Sequence, residues 1–318
     1  MKSIKYFLFP VYLACFVPLT AQNIISGKVF LDKNGNGIQD RSEHGIKAVP
    51  VSNGRDVVLT DKDGNFSISV ADGESLFPIF PSGYTSSSGD IIRSSDFLFK
   101  TRQSKDKVDF ALKKEKQPEH FTLGAIGDIQ MGNPQELDYA NQTIIPELAG
   151  RKDIQLAVWL GDLVNNRLEL FEDVREMIRC TEIPSWVLPG NHDRITNGHT
   201  LQDSLFNCYF GASAYAFNYG NVHFIILNNV APDSKRGYKA RISDRQMTFI
   251  KNDLSYVPKD RFVVFCQHIP LVHTENIEDL KTLLNGRNKL FALSGHTHRV
   301  SRHFIPIGNA VMQELVAG

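Results

Sequence analysis

Five short apolar runs beyond residue 120 of this 318-residue sequence each end in side chains able to hold a metal ion. Leu123 to Gly127 leads into Asp128-Ile129-Gln130, Val158 to Gly161 into Asp162, and Val187 to Gly190 into Asn191-His192-Asp193. Val263 to Gln267 leads into His268, and Ala292 to Gly295 into His296-Thr297-His298. One such cluster would read as a helix cap or a satisfied core group. Five in series, gathered on one edge, would repel or stay unpaired unless a cation compensated them. Ligands of open α/β sheets bind outside the carboxyl ends of the strands. The glycines at 127, 161, 190 and 295 are read as letting the backbone turn sharply and approach a bound group. Two divalent ions roughly 3.5–4 Å apart would activate a shared water and neutralise charge on a phosphoryl group. Oxygen and imidazole donors without thiolate suit Mn, Fe or Zn.

Taken together, the blocks Asp128-x-Gln130, Gly161-Asp162, Gly190-Asn191-His192-Asp193, His268 and Gly295-His296-Thr297-His298 resemble those of calcineurin-like metallophosphoesterases, over about residues 121–316. The resemblance implies a four-layer α/β (α+β) sandwich. It also implies that Asp128 and His298 bind a first metal with Gln130 beside it, and that Asp162 bridges both ions. Asn191, His268 and His296 would complete the coordination of the second ion, while His192, oriented by Asp193, would touch the phosphate and help protonate the leaving group. In that family the third residue of the first block is commonly His; Gln130, a neutral amide, is a poorer ligand. The implied activity is hydrolysis of phosphate mono- or diesters, or of nucleotide pyrophosphate bonds, by a metal-bridging hydroxide. The competing reading is a non-catalytic surface binding or adhesion protein with a degenerate metal site.

The strands that must carry these residues are Leu123 to Ile126, Gln155 to Leu160, Trp186 to Leu188, Val222 to Leu227, Phe262 to Phe265 and Leu290 to Leu293. Helical stripes separate them: Leu168, Phe171, Val174 and Ile178, then Met247, Ile250, Leu254 and Val257, the second preceded by a capping box of Ser243 and Gln246. Such alternation predicts an α/β layered domain over 121–318, with a further C-terminal domain left open.

Before it, residues 22–112 show short alternating runs between Asn, Asp and Gly turns, the pattern of a small all-β sandwich. Within it, Gly45 to Val70, with Thr60-Asp61-Lys-Asp63-Gly64-Asn65-Phe66, loosely resembles the β-sandwich repeats of bacterial surface proteins and the N-terminal domain of some secreted calcineurin-like phosphoesterases, which implies a spacer or docking module. Residues 113–120 read as a solvated linker. Asp32, Asn34, Asn36, Ile38, Asp40 and Glu43 fit the ligand spacing of a twelve-position calcium loop, with Gly37 at its sixth position. A structural calcium ion and a plain Asn/Gly-rich hairpin turn stand as alternatives.

The whole sequence balances 35 Lys and Arg against 35 Asp and Glu, which offers no global field for nucleic acid. Residues 1–21 read as a cleaved signal peptide: basic Lys2 and Lys5, an apolar run, then Leu19-Thr20-Ala21. A periplasmic or extracellular location is therefore expected, with a lipid anchor on Cys15 as the weaker alternative and no transmembrane span in the mature chain. Cys180, Cys208 and Cys266 are read as buried small apolar residues rather than a disulfide framework. His199, His223, His273 and His303 stand outside the five blocks. The expected partner is a small phosphorylated substrate; oligomeric state is not legible.

Overall fold

The computed structural model describes residues 23–101, 103–197 and 200–318. The leader expectation for residues 1–21, with its Cys15 alternative, and His199 fall outside them. No helix among the described residues is long and apolar enough to cross a membrane.

The first part is a β-sandwich. Its strands are β1 (Asn23–Leu31), β2 (Pro50–Ser52), β3 (Val57–Leu59), β4 (Asn65–Val70), β5 (Ser75–Pro78), β6 (Tyr84–Ser86), β7 (Leu98–Phe99) and β8 (Phe110–Lys114). They form two four-stranded sheets, ordered β4-β1-β8-β6 and β3-β2-β5-β7. Alternation decides which face is inside: in β4, Phe66, Ile68 and Val70 are buried while Asn65 and Ser67 are exposed. Strand β8 runs through Lys114, two residues into the expected linker, because both lysines pair with β6 while their side chains stay outside the core.

Four layers follow. Strands β9 (Thr122–Ile126), β10 (Ile154–Trp159) and β11 (Ser185–Val187) make a parallel sheet. One face is covered by α1 (Pro134–Gln142), α2 (Ile144–Gly150), α3 (Phe171–Arg179) and α4 (Ser204–Phe210), whose apolar sides surround Trp159 and Val187. Between α3 and the next sheet lies a hairpin of β12 (Ile195–Asn197) and β13 (Thr200–Gln202). The second sheet contains β14 (Tyr215–Tyr219) and β15 (Val222–Leu227), followed by a projecting hairpin of β16 (Val230–Asp233) and β17 (Gly237–Ala240). Helix α5 (Asp244–Leu254), β18 (Phe262–Gln267), α6 (Ile277–Leu284), β19 (Leu290–Ser294), β20 (Ser301–Ile307) and β21 (Ala310–Val316) complete it. Its strand order is β14-β15-β18-β19-β21-β20, parallel from β15 to β21. Leu156, Val158 and Leu160 pack from the first sheet onto the second, and α5 and α6 close the outer side.

Helix α5 begins as expected at Ser243, whose side chain accepts from the Gln246 N–H. The reciprocal half of the capping box is absent: Gln246 instead binds both the N–H and the C=O of Asn228. The two halves also share a core. Phe77 and Phe97 of the sandwich meet Tyr215 edge-on at 6.3 and 5.4 Å, and Phe80 meets Trp186 at 5.7 Å. Residues Ile91 to Arg93 extend the parallel sheet beyond β11, with Ser185 exchanging hydrogen bonds with Ile91 and Arg93. Such a large apolar contact makes the sandwich part of one body with the α/β layers rather than a swinging spacer.

Cysteine placement differs from expectation. Only Cys266 is buried; Cys180 and Cys208 are exposed, and all three are free. Cys180 caps α3 and Cys208 lies on the outer side of the short α4, positions where 3.6-residue periodicity turns them outward.

Candidate metal centre

Every strand that precedes one of the five blocks runs parallel to its neighbours, so the blocks emerge together at one sheet edge. The loops after β9 and β10 run alongside each other beyond that edge: the N–H groups of Asp128, Gln130 and Met131 donate to the carbonyls of Gly161, Asp162 and Leu163. Their backbone is strained. Of the eight described non-glycine residues with positive φ, five are Asp128, Gln130, Asp162, His296 and His298. Each such position costs on the order of 1 kcal/mol or more and persists only where its surroundings over-determine it. Here the left-handed turn is what redirects each side chain inward from the strand end.

Asp162 lies at the centre. Its Oδ1 accepts from the His192 N–H at 2.9 Å, and its Oδ2 lies 3.3 Å from His268 Nε2 and 3.1 Å from the Gln130 amide nitrogen. On one side, His268 Nε2 is also 3.1 Å from Asn191 Oδ1 and 3.2 Å from His296 Nδ1. His268 Nδ1 faces the Leu160 carbonyl at 2.9 Å and donates to it, so that loss of the second ring proton to a bound cation would leave the Nε2 lone pair as the ligand. Four possible ligand atoms, on Asp162, Asn191, His268 and His296, therefore converge, and a cation bound among them would be shared by all four. The ligand atoms of Asp162, His268 and His296 all lie within 4.8 Å of one another.

On the other side of Asp162 stand Asp128, Gln130 and His298. Asp128 Oδ1 is buried without a hydrogen-bond partner and lies 3.5 Å from His298 Nε2. Gln130 Nε2 lies 3.3 Å from the same His298 nitrogen. An orphaned, buried carboxylate oxygen aimed at an imidazole again fits a divalent ion. The residues present thus suit two cations that share Asp162.

Charge in this pocket is unevenly held. Burial would raise the Asp162 carboxyl, but the His268 hydrogen bond and charge outweigh it and bring it down to about 2. Asp128, without an equivalent partner, is pushed up by burial. His296 falls to about 4, through burial first and then the neighbouring His268.

Two glycines make room for the carboxylates. A Cβ at Gly190 would lie 2.0 Å from Asp162 Oδ1, and one at Gly295 would lie 2.5 Å from Asp128 Oδ2. Gly127 carries no such demand, since a Cβ there meets only ordinary contacts at 3.5 Å.

The expected contact between Asp193 and the His192 ring is not made. Both oxygens of Asp193 are taken by backbone N–H groups, those of Leu163, Val164 and Gly190 at 2.8 to 3.1 Å. The left-handed turn at Asp162 leaves these amides without ladder partners, and Asp193 supplies the acceptors. His192 Nδ1 has no partner, and its Nε2 is 3.9 Å from Asp162 Oδ2. Outside the centre, His223 is fully buried between Asp253 and Asn218, a structural role, and the His273 ring faces His303 at 6.3 Å.

Sequence reading missed Arg194 and Tyr238. Arg194 is buried, pairs with Asp203 and donates to the Val230 carbonyl and the Asn228 side chain, so it ties the loop after His192 to the β16–β17 hairpin. Its position directly after Asn191-His192-Asp193 was the available signal. Tyr238, on that hairpin, stands edge-on to His296 at 5.9 Å.

In the calcium-like loop, the named oxygens bind the loop's own donors. Asp32 accepts from the N–H groups of Gly35 and Gly37, Glu43 from those of Lys33 and Asp40, and Asn36 from that of Ile38. The side-chain amides of Asn34 and Asn36 both donate to Asp40. These bonds hold the turn conformation.

Residues 121–300 match the family model for calcineurin-like phosphoesterases, and residues 33–115 match that for the N terminal of calcineurin-like phosphoesterase. A 3′,5′-cyclic-nucleotide phosphodiesterase from Nostoc sp. is 26% identical over 164 residues, 48% of this chain and 59% of that protein. A probable glycerophosphodiester phosphodiesterase from Arcobacter nitrofigilis is 24% identical over 166 residues, 46% of this chain and 57% of that protein. The chain thus spans less than two thirds of the length of either relative.

Proposed function

Since the chain belongs to the calcineurin-like phosphoesterase family, we propose that it hydrolyses phosphodiesters using two divalent metal ions. Asp128 and His298 would hold one ion with Gln130 beside it, Asn191, His268 and His296 the other, and Asp162 both. The observation that carries this reading is the convergence of Asp162, Asn191 and His296 on His268 Nε2, all within 3.3 Å of it. The bound ions would supply an activated water and neutralise charge on the phosphoryl oxygens. The donor set suits Mn, Fe or Zn.

The chain's own groups do the rest. Asp162 stays ionised far below neutral pH and so remains available to both cations. The Leu160 carbonyl fixes the His268 tautomer and ring plane. His192, whose ring is partly exposed although its Nδ1 is buried, would contact a phosphoryl oxygen and give a proton to the leaving oxygen. Asp193 acts one step back by bracing the Asp162 turn. A diester is favoured over a monoester because both curated relatives are named phosphodiesterases. With the leader read at residues 1–21, the reaction is placed outside the cytoplasm, a reading that N-terminal sequencing of exported protein tests.

Manganese-loaded protein is expected to turn over bis-(p-nitrophenyl) phosphate faster than p-nitrophenyl phosphate, and Asp162→Asn is expected to abolish both. Two bound metals with no turnover of any phosphate ester would refute catalysis and leave a binding module.

A further inference from the structure

We infer that Glu314 is a positioning residue of the metal centre, joining the backbone that follows His268 to the backbone that precedes His296. The inference rests on the two-metal reading and extends it to a residue beyond the segment matched by the family.

Glu314 sits in β21 and is fully buried. Its neighbours of the same parity, Met312 and Val316, are also buried, so it occupies a place where the alternation of the strand calls for an apolar side chain. A carboxylate there is costly unless donors surround it. They do: Oε1 accepts from Gln267 Nε2 at 2.9 Å, the Leu271 N–H at 2.7 Å and the Ser294 hydroxyl at 3.2 Å. Oε2 takes only the Val272 N–H, at 3.4 Å.

The identity of these donors is the point. Gln267 directly precedes His268, Leu271 and Val272 form the turn after it, and Ser294 lies two residues before His296. A backbone hydrogen bond from Gly295 to His268, at 2.9 Å, joins the same two segments closer to the ligands. The imidazole of His268 is therefore held on its ring side by Leu160 and on its backbone side by the Glu314 bonds. Metal ligands held within a fraction of an ångström bind tightly, and loss of such support costs roughly 10- to 100-fold in affinity or activity. A residue needed only to fill the core would not have to be an acid.

Two variants separate positioning from packing. Glu314→Leu keeps the volume and removes the acceptor; Glu314→Gln keeps an acceptor at Oε1, where three of the four bonds converge. Manganese titration of wild type and both variants, with kcat and KM for bis-(p-nitrophenyl) phosphate, reads the difference. Glu314→Leu is expected to weaken manganese binding by about 10- to 100-fold and to lower kcat with KM little changed, while Glu314→Gln stays within about threefold of wild type. If Glu314→Leu does not fold, Ser294→Ala, which deletes one donor, is expected to move both readouts the same way by a few-fold. Wild-type affinity and kcat in Glu314→Leu, or in Ser294→Ala when it replaces it, would overturn the role of Glu314 alone, as would an equal loss in Glu314→Gln. Wild-type protein that takes up no manganese would instead overturn the metal centre itself, and this inference with it.

Discussion

The side-chain amide of Gln130 donates to Asp162 Oδ2 across 3.1 Å while standing 3.3 Å from His298 Nε2. A neutral group thus occupies the space beside the first cation position and engages one lone pair of the shared carboxylate. The two metals should therefore bind unequally. Manganese titration is expected to give two affinities at least tenfold apart, and Gln130→His to tighten the weaker one by about tenfold. Equal affinities in the wild type would sink this account.

Removing the shared carboxylate has a larger effect. Asp162→Asn is expected to lower turnover by on the order of 1,000-fold and to reduce bound metal below one ion per chain. Chelation of wild type should have the same effect on turnover, reversed by added manganese. Activity surviving in the chelated protein counts against the assignment.

Gly190 and Gly127 form a matched pair for testing the crowding around the carboxylates. Gly190→Ala puts a Cβ 2.0 Å from Asp162 Oδ1 and is expected to displace that oxygen, lowering metal content and activity by at least tenfold with the circular dichroism spectrum retained. Gly127→Ala meets nothing closer than 3.5 Å and is expected to behave as wild type. Similar activities in the two variants would contradict the crowding argument.

The shared aromatic core predicts one melting event for both halves of the protein. Trp186 stacks on Phe217 at 3.8 Å and also meets Phe80 and Phe97 of the sandwich. Calorimetry should give a single transition, and Trp186→Ala should shift it as a whole by about 3–5 kcal/mol. Two separable transitions would show that the halves fold independently.

Acid should loosen the contact between the halves. Asp90 and Arg179 pair at 2.6 Å across it. Burial acts to raise the Asp90 carboxyl, yet the bond to Arg179 outweighs it and holds the group below its ordinary 3.8. A lowered folded-state value means stabilisation that is present above about that pH and lost as pH falls through the folded value. The melting-temperature advantage of wild type over Asp90→Asn should therefore be present at pH 7 and fade below pH 4. A pH-independent difference argues against the pair as its source.

Much of the site could be read from sequence because each of its blocks follows a parallel strand, and such strands announce themselves as compact apolar runs, four of the five ending at glycine. The same logic placed β15 at Val222–Leu227. Helix α1 escaped because only Leu137 and Ala140 of its nine residues are buried, too few to mark a stripe. The real partners of Asp193 escaped for a different reason: they are main-chain amides freed by a left-handed turn, and no side-chain pattern reports them. Glu314 left a trace, one acid among Val311, Met312, Leu315 and Val316, but its donors come from β18, the turn after it and β19, all distant in sequence. The shared core was hidden because Phe77, Phe80 and Phe97 have the same alternation whether they fill their own sandwich or another layer.

The pairing of Ile91 and Arg93 with Ser185 sets an order of events for a chain synthesised from its N-terminus. The segment that borders β11 leaves the ribosome ~90 residues before the strand it borders, on the order of ten seconds at usual translation rates. Over that interval the Phe77, Phe80 and Phe97 face has no Trp186 or Tyr215 to cover it. The nascent sandwich is thus a sticky half-product, and holdase chaperones have a defined window in which to bind it.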